Sequence, residues 1–375
     1  MYKIMTIVGT RPELIKMSRL IPLLDEISEH ILVHTGQNYD YELNQVFFED
    51  LEIRKPDFFL NVADSSVAKT IGKIIEKSDE VFESQQPDAL IVYGDTNSCL
   101  SVISAKRRKI PIFHMEAGNR CFDQRVPEEL NRKVVDHLSD VNLVLTEHAR
   151  RYLLAEGIRP QYIFKTGSNM FEVLNYYNKK IQDSKILDRL DLKSKNYFLV
   201  SLHREENVDS KDNLEKLIVA LNRITELCAI PVIVSMHPRT KKRIEDFNLG
   251  DLAPQVQLHP PFGFFDYIKL QVSSKCVISD SGTIFEENSI LNFPAVTIRN
   301  AHERPEGMDA SSVILSNLEP KNIVDAVKAA ILFSKKRFIH KPVVDYEAKN
   351  ASEHISRIIL SYIDNINSQI WRKGN

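Results

Sequence analysis

The chain has 375 residues, a formal net charge of −2 and 43% hydrophobic residues, a length that suits two domains with full cores. The balanced charge gives no reason to expect nucleic acid or an anionic membrane as a partner, and no apolar run approaches the roughly 18 residues that span a bilayer. Four widely spaced cysteines and an N-terminus without signal-peptide features predict a reduced, cytoplasmic protein that acts on soluble metabolites.

The first half of the chain alternates strand-like and helix-like runs. Its predicted strands, each followed by a helix-like run, are YKIMTIVG, DALIVYGD, IPIFHMEAG and VNLVLTE. After a polar stretch at 179–196, the predicted strands are YFLVSLH, PVIVSMHP, KCVISDSG and PAVTIRN. Such alternation indicates parallel sheets covered by helices on both faces. We therefore predict an α/β protein with two doubly wound domains.

The predicted domains are residues 1–170, 171–350 and a closing helix at 351–375. The closing helix is indicated by the helical apolar spacing of ISRIILSYIDNINSQIW. Ligands of open parallel sheets bind beyond the carboxyl ends of the strands, and two such domains facing each other make a cleft. The residues that follow the predicted strands are therefore the candidates for a site.

The first candidate is GTRPE (9–13), directly after the first strand. Thr10 and Glu13 have the spacing of a helix capping box. The helix start then offers backbone N–H groups to an anion, with Arg11 beside them and Lys16 about one turn further on. A phosphate suits this turn, and an ordinary strand-to-helix turn with an exposed arginine is an equal alternative.

Carboxylates follow the next strands. Asp95 ends DALIVYGD, where a plain helix N-cap is the simpler interpretation. Glu116 follows IPIFHM, so it should share the sheet edge with Asp95. The helix predicted from position 127 places Glu128 and Glu129 in its first turn, where acidic residues stabilise the helix dipole. We therefore expect no more than one of these two to be functional.

The second half repeats this arrangement. SDSGTIFEEN (279–288) reads as a strand, a glycine turn and a helix start. Ser281, Gly282 and Thr283 of that turn can offer N–H and hydroxyl donors to a diphosphate. The other candidates are His203 at the end of YFLVSLH, Glu287 for ribose hydroxyls and Arg304 of HERPE for a phosphate.

Several classes of site are not supported. No GxGxxG follows a strand, which argues against a nicotinamide cofactor, and no GxxxxGK[ST] is present. The four cysteines are far apart and form no pair with metal-ligand spacing. We expect neither a cofactor nor a metal.

Seven motifs in this order, GTRPELIK, YGDTNS, HMEAGNR, PEELNR, HREEN, SDSGT and HERPEG, resemble the non-hydrolysing UDP-N-acetylglucosamine 2-epimerases over nearly the whole chain. The resemblance implies two Rossmann-like domains facing across a cleft in the GT-B-like arrangement, with the last helix crossing back to the first domain. It also implies a homodimer. The implied substrate is a UDP-sugar that loses and regains UDP through a 2-acetamidoglycal.

The resemblance also implies roles for residues. Asp95, Glu116 and Glu128 match the proton-handling carboxylates, and His203 matches a histidine near the nucleotide phosphates. The positions that match UDP-sugar contacts are Arg11, Lys16, Ser281, Gly282, Thr283, Glu287 and Arg304, with Arg132 as an additional candidate.

A narrower resemblance concerns the sugar. HMEAGNRCFDQRVPEE, HTGQNYDYELNQVFF and KTGSNMFEVL resemble the enzymes that form UDP-N-acetyl-L-fucosamine from UDP-2-acetamido-2,6-dideoxy-L-talose for capsule and O-antigen. Glu205 of HREEN stands where members acting on UDP-N-acetylglucosamine usually have arginine. The alternatives are epimerisation of UDP-N-acetylglucosamine, a hydrolysing epimerase, a glycosyltransferase of the same fold, and a non-catalytic UDP-sugar-binding protein.

Overall fold

The computed structural model describes residues 1–37, 48–202, 204–236, 238–247, 252–299, 302–335 and 342–373. The chain divides into two compact units. The first unit comprises Met1–Val173 and Asp345–Asn375, and the second comprises Leu174–Val344. These limits lie beside the domain limits of 170 and 350 predicted from the sequence.

Within the described ranges, the first unit contains one parallel sheet with the strand order β3-β2-β1-β4-β5-β6-β7. Its strands are β1 (Lys3–Val8), β2 (Glu29–His34), β3 (Phe58–Phe59), β4 (Ala89–Tyr93), β5 (Ile112–Ala117), β6 (Val141–Val144) and β7 (Ile163–Lys165). The chain starts in the middle of the sheet and builds outward in both directions, which is the predicted doubly wound arrangement. The predictions of β1, β4, β5 and β6 are confirmed, whereas β2, β3 and β7 were not predicted.

Helices cover this sheet. Those with both ends described are α1 (Arg11–Met17), α2 (Leu20–Ile27), α3 (Val67–Gln85), α4 (Val102–Arg107), α5 (Pro127–Leu138) and α6 (Glu147–Ala155), with short 3-10 turns at Asn97–Ser101 and Pro160–Tyr162. The central strands are buried on both faces, and β4 is buried at every position of ALIVY. Helices α1 and α2 are separated by a break near Ser18, whose side chain is fully buried.

In its described part, the second unit contains a parallel sheet with the order β10-β9-β8-β11-β12-β13. Its strands are β8 (Phe198–Leu202), β9 (Val232–Met236), β10 (Val256–His259), β11 (Cys276–Ser279), β12 (Ala295–Ile298) and β13 (Ile314–Ser316). The predictions of β8, β9, β11 and β12 are confirmed. The polar stretch at 179–196 also contains short helices that were not predicted.

Further helices follow in the described part of the chain. They are α7 (Met170–Tyr176), α8 (Asn178–Asp183), α9 (Ile186–Arg189), α10 (Glu205–Val208), α11 (Lys211–Cys228), α12 (Pro238–Asp246), α13 (Phe264–Ser273), α14 (Ile284–Leu291), α15 (Pro305–Asp309), α16 (Pro320–Lys335) and α17 (Ala351–Gln369), with a 3-10 turn at Val344–Tyr346. The last helix packs against α2 of the first unit. The Tyr2 hydroxyl donates to Asp364 Oδ2 at 2.6 Å, so α17 is also joined to the start of β1. Across the described ranges, no helix is both long and apolar enough to cross a membrane.

Candidate active site

The carboxyl ends of β1, β4 and β5 meet because these three strands are neighbours. Ile7 pairs with Val92, and Tyr93 pairs with Met115. Asp95 and Glu116 therefore lie at the same sheet edge, as predicted. A Cβ at Gly9 would lie 1.8 Å from Ser98 Oγ, so the end of β1 needs a glycine to pack against the turn after β4.

Glu116 is held by two donors that reach the same carboxylate oxygen. Lys16 Nζ lies 2.5 Å from Glu116 Oε2, and the Tyr93 hydroxyl donates to that oxygen at 2.8 Å. Lys16 also lies 5.3 Å from the centre of the Tyr93 ring. The side chains of Lys16 and Glu116 are only 5% and 11% exposed, so their ion pair is largely removed from water. Both donors favour the ionised carboxylate.

The backbone of Glu116 is unusual. Its φ is +63°, in the left-handed region that costs of order 1–3 kcal/mol for a residue other than glycine. The pairing of β5 with β6 shifts register between Met115 and Ala117, on either side of Glu116. Such irregularities re-aim a side chain at the end of a strand and are over-represented next to active sites. The Glu116 side chain therefore does not follow the regular alternation of side chains along β5.

Asp95 is fixed by α5. Arg132 donates to Asp95 Oδ2 through Nε and Nη2, both at 2.8 Å. Asn131 Nδ2 donates to the Asp95 carbonyl at 2.9 Å. Arg132 also pairs with Glu129 at 2.9 Å and is nearly fully buried. The helix that carries Glu128 is thereby attached to the turn that carries Asp95.

The two adjacent glutamates of α5 have different surroundings. Glu129 is fully buried and accepts from the backbone N–H groups of Cys121 at 3.0 Å and Phe122 at 3.1 Å. Burial acts to raise the pKa of Glu129, but the hydrogen bonds from Cys121 and Arg132 outweigh it, and the net pKa is lowered. Glu128 is half-exposed and makes no hydrogen bond or ion pair with any described residue. Glu129 thus holds a loop, which leaves Glu128 as the candidate of the pair.

His114 and Arg120 belong to the same stretch of sequence as Glu116, and their contacts hold the surrounding backbone in place. His114 Nδ1 lies 2.8 Å from Asp136 Oδ1, and its Nε2 lies 2.7 Å from the Gly94 carbonyl. Both ring nitrogens of His114 therefore have a hydrogen-bond partner. Arg120 pairs with Asp136 at 2.7 Å and with Glu156 at 2.7 Å. These buried ion pairs anchor β5 and the Gly94 carbonyl, one residue before Asp95.

Two residues of this edge escaped sequence reasoning. Tyr93 was treated as part of a strand, although its hydroxyl binds Glu116. Glu13 was treated as a capping-box residue, and the box is present, with the Thr10 N–H donating to Glu13 Oε2 at 2.6 Å. Glu13 also accepts from Thr96 on the neighbouring turn. Arg11 is half-buried at the first position of α1. The sequence signal that could have indicated Tyr93 and Thr96 is their position at the carboxyl end of a predicted strand, where ligands of parallel sheets bind.

In the second unit, the turn before α14 has the predicted hydroxyl cluster. The Ser281 and Thr283 hydroxyls lie 3.0 Å apart, and the Thr283 N–H donates to Ser281 Oγ at 3.3 Å. A Cβ on Gly282 would lie 2.3 Å from Glu303 Oε1. Glu303 is itself paired with Arg299 at 2.9 Å. Gly282 is therefore required by close packing, and this holds the turn in one shape.

Glu287 and Arg304 are both buried in the second unit. Gln271 Nε2 donates to Glu287 Oε2 at 2.6 Å. Arg304 Nη2 lies 3.4 Å from Glu286 Oε2, so an arginine predicted for phosphate binding is held by an acid that sequence reasoning passed over. The predicted contacts of Glu287 and Arg304 with a nucleotide sugar stay predictions.

The HREEN segment is bound to the SDSG segment. The Arg204 N–H donates to Asp280 Oδ2 at 3.1 Å, and Asn207 Nδ2 donates to the same oxygen at 3.0 Å. Arg204 Nε donates to the Asp280 carbonyl at 3.2 Å. His203, predicted as a site residue, lies outside the described residues. Among the residues that are described, no group of three or more His, Cys, Asp or Glu could hold a metal.

A cavity of about 650 Å³ in the first unit lies away from these carboxylates. Its lining includes Asp140, directly before β6, and Arg159, shortly before β7, so it opens at the amino ends of the strands. Lys106 in this lining pairs with Asp140 at 2.6 Å. The cavity is therefore separate from the candidate site.

Comparison with known proteins then decides the family. A protein-family model described as UDP-N-acetylglucosamine 2-epimerase matches residues 24–360. The chain belongs to this family. The structure of UDP-N-acetylglucosamine 2-epimerase from Rickettsia bellii is similar over the full length of both chains, with 55% identity and a TM-score of 0.92. The chain is accordingly a UDP-sugar 2-epimerase of the UDP-N-acetylglucosamine 2-epimerase family.

More distant relatives agree with this assignment. UDP-N-acetylglucosamine 2-epimerase from Methanocaldococcus jannaschii, in complex with UDP-N-acetylglucosamine and UDP, is 33% identical over 96% of this chain and 99% of its own, with a TM-score of 0.88. UDP-2,3-diacetamido-2,3-dideoxy-D-glucuronate 2-epimerase from Pseudomonas aeruginosa is 33% identical over 88% of this chain and 92% of its own. A glycosyltransferase from Rickettsia africae, 13% identical with a TM-score of 0.55, shares the fold alone. The predicted GT-B-like α/β fold is confirmed.

Proposed function

We propose that this UDP-sugar 2-epimerase is of the non-hydrolysing kind and forms UDP-N-acetyl-L-fucosamine from UDP-2-acetamido-2,6-dideoxy-L-talose, by elimination and re-addition of UDP. The observation that carries the proposed chemistry is the set of carboxylates at one sheet edge. Glu116 is bound there by Lys16 and Tyr93, and Asp95 lies on the adjacent strand end.

The position of the reacting hydrogen explains why elimination is needed. The C2 hydrogen of a pyranose is not next to a carbonyl, so its direct removal is difficult. In the proposed reaction the C1–O bond breaks and its electron pair leaves with UDP. The C2–H bond gives up its proton, and its electron pair forms the C1–C2 double bond of a 2-acetamidoglycal. A proton then adds to the opposite face of C2, and UDP re-forms the bond to C1.

Proton transfer on two faces of C2 needs two acid/base groups, each typically worth about 10²–10⁴-fold in rate. Glu116 is suited to act as a base because Lys16 and Tyr93 hold its carboxylate in one orientation. Asp95 and Glu128 are the other proposed members of the cluster. Arg132 holds Asp95 in place and attaches the helix of Glu128 to it.

Departure of the diphosphate needs a second set of groups. We propose that the departing diphosphate is stabilised by Arg11, Lys16, His203 and Arg304, and by the N–H and hydroxyl groups of the turn before α14. Preorganised donors of this kind are typically worth about 2.7–4 kcal/mol each. The proposal gives Lys16 two tasks, since its ammonium group also binds Glu116.

The choice of sugar rests on the resemblance of segment 114–129 to the L-fucosamine-forming branch. The names of the Rickettsia bellii and Methanocaldococcus jannaschii proteins favour UDP-N-acetylglucosamine as the alternative substrate. The Pseudomonas aeruginosa relative, named for a diacetamido-glucuronate sugar, is 33% identical over 88% of this chain, close to the 35% identity over 95% of this chain for the Methanocaldococcus jannaschii protein. Family membership therefore leaves the sugar to be decided by experiment.

The test is NMR of the purified protein with each UDP-sugar in turn and without any acceptor. We expect the L-talo sugar to convert to the L-fuco epimer, with UDP still attached in the product. Conversion of UDP-N-acetylglucosamine alone would favour the alternative, and free N-acetylmannosamine as the main product would show a hydrolysing enzyme. We also propose that the protein is cytoplasmic and that it forms a homodimer. Light scattering of the purified chain tests whether it is a dimer.

Substitution of Glu116 tests the chemistry itself. Glu116→Gln keeps the size of the side chain but removes the base, so we expect no epimerisation and nearly unchanged UDP binding. Glu83→Gln is the matched control because the Glu83 side chain is exposed and pairs with Arg108 at the protein surface. Normal turnover by Glu116→Gln would remove Glu116 from the mechanism.

A further inference from the structure

Glu13 is a buried carboxylate that joins two turns of the candidate site. Its Oε2 accepts from the Gly9 N–H at 2.8 Å, the Thr10 N–H at 2.6 Å and the Thr10 hydroxyl at 2.9 Å, all on the turn after β1. Its Oε1 accepts from the Thr96 hydroxyl at 2.8 Å, on the turn after β4. A capping box needs only the first of these turns. The bond to Thr96 is an additional link between neighbouring strand ends.

Both turns carry groups assigned to the reaction. Arg11 and Lys16 lie on α1 on either side of Glu13, and Asp95 directly precedes Thr96. Lys16 in turn binds Glu116 at the end of β5. A shift of α1 against the β4 turn would therefore change the positions of a base, its cation and a second carboxylate together.

The Cys99 thiol also lies 3.9 Å from Glu13 Oε1. All five of these donors to Glu13 are uncharged, and the Glu13 side chain is almost completely buried. Burial raises the pKa of Glu13 to about 7, against the opposing effect of its hydrogen bonds. The charged or titratable groups on the elements that pack here include Arg11 and Lys16 on the helix of Glu13, and Asp95 and the Cys99 thiol after β4. Burial, followed by the charge of Glu13, raises the pKa of Cys99, so this thiol stays neutral.

The hydrogen-bond partners of Glu13 determine which of its two carboxylate oxygens can be protonated. The Gly9 and Thr10 N–H groups can only donate, so Oε2 must remain an acceptor. A hydroxyl can donate or accept, so the Thr96 bond can reverse when Oε1 is protonated. The link between the two turns can thus persist in both protonation states, whereas it is lost when the Thr96 hydroxyl is removed.

We propose that Glu13 and Thr96 form a positioning pair that fixes α1 against the β4 turn, and so aligns Asp95 with the Lys16–Glu116 pair for epimerisation. This inference rests on the proposed function. Misplacement of catalytic groups by about 1 Å can cost on the order of 10²-fold in rate. The pair touches no reacting atom in this proposal, so its effect should appear in kcat and not in nucleotide affinity.

The test compares Thr96→Val with Thr146→Val. Valine keeps the size of threonine, and Thr96→Val removes the link to Glu13 but leaves the capping box intact. Thr146 also follows a strand of the same sheet, but its hydroxyl accepts only a local bond from the Ala149 N–H, at 3.3 Å. We expect Thr96→Val to lower kcat roughly tenfold or more, in line with the cost of misplacement. We expect it to leave UDP affinity within about twofold, while Thr146→Val keeps the kcat of the unmodified chain.

Outcomes of the test separate this inference from the proposed function. If the unmodified chain epimerises no UDP-sugar, the proposed function fails before any variant is compared. If the unmodified chain is active and the two variants have equal kcat, the positioning pair is contradicted. A lower kcat accompanied by an equal loss of UDP affinity, or by a larger loss of thermal stability than in Thr146→Val, shows a merely structural role and also contradicts it.

Discussion

Glu13→Gln should change how the stability of the first unit depends on pH. In the folded protein, burial raises the pKa of Glu13 from its ordinary value of 4.5 to about 7. Between these two values the folded chain keeps a proton that the unfolded chain has released, so rising pH destabilises the fold. The shift corresponds to about 3 kcal/mol, since each pKa unit is about 1.4 kcal/mol. Glutamine does not titrate, so the free energy of unfolding of Glu13→Gln does not fall for this reason as the pH rises.

The assay is urea unfolding of both proteins at pH 5, 6, 7 and 8, with the difference in unfolding free energy taken at each pH so that other groups cancel. We expect the unmodified chain to lose about 2.5 kcal/mol relative to Glu13→Gln between pH 5 and pH 8, because part of the loss is already complete at pH 5. Glu83→Gln is the control because the Glu83 side chain is 74% exposed, and its difference should not vary with pH. A Glu13→Gln difference that stays constant across this range would refute the argument from burial.

Two further predictions concern single contacts. Tyr93→Phe removes a hydroxyl that donates to Glu116 but keeps the ring beneath Lys16, so steady-state kinetics should show kcat reduced by about tenfold, with UDP affinity unchanged in a titration. Gly282→Ala places a Cβ 2.3 Å from Glu303 and should cost about 1–3 kcal/mol in thermal unfolding, together with weaker UDP binding. Gly72→Ala, with no atom within 4 Å of the added Cβ in α3, should instead stabilise by about 0.4–1 kcal/mol, and similar effects at both glycines would contradict the packing argument.

Much of the fold could be read from the sequence because buried parallel strands are continuous apolar runs. The runs ALIVY and FLVSL are β4 and β8 as predicted. Five strands were not predicted, and three of them, β3, β7 and β13, are only two or three residues long, whereas β2 has six residues and β10 has four. The three short strands carry too few residues to show a period, and their pairing partners decide their conformation.

The gathering of Asp95 and Glu116 was also predictable, because adjacent parallel strands place their carboxyl ends together. The contacts that define their surroundings were not. Lys16 and Glu116 are separated by 100 positions, so no local spacing records their ion pair. The different surroundings of Glu128 and Glu129 follow from where the loop at 121–122 returns to α5. Tertiary contacts of this kind have no sequence period.

The central claim is that carboxylates of the first unit move a proton at C2 while UDP departs and returns. The most direct test is incubation of the unmodified chain with its UDP-sugar in D₂O without acceptor, followed by NMR. The account predicts that deuterium appears at C2 of both epimers, with traces of UDP and 2-acetamidoglycal. Conversion of one epimer to the other with the original hydrogen retained at C2 would contradict it, as would the absence of label with every candidate UDP-sugar.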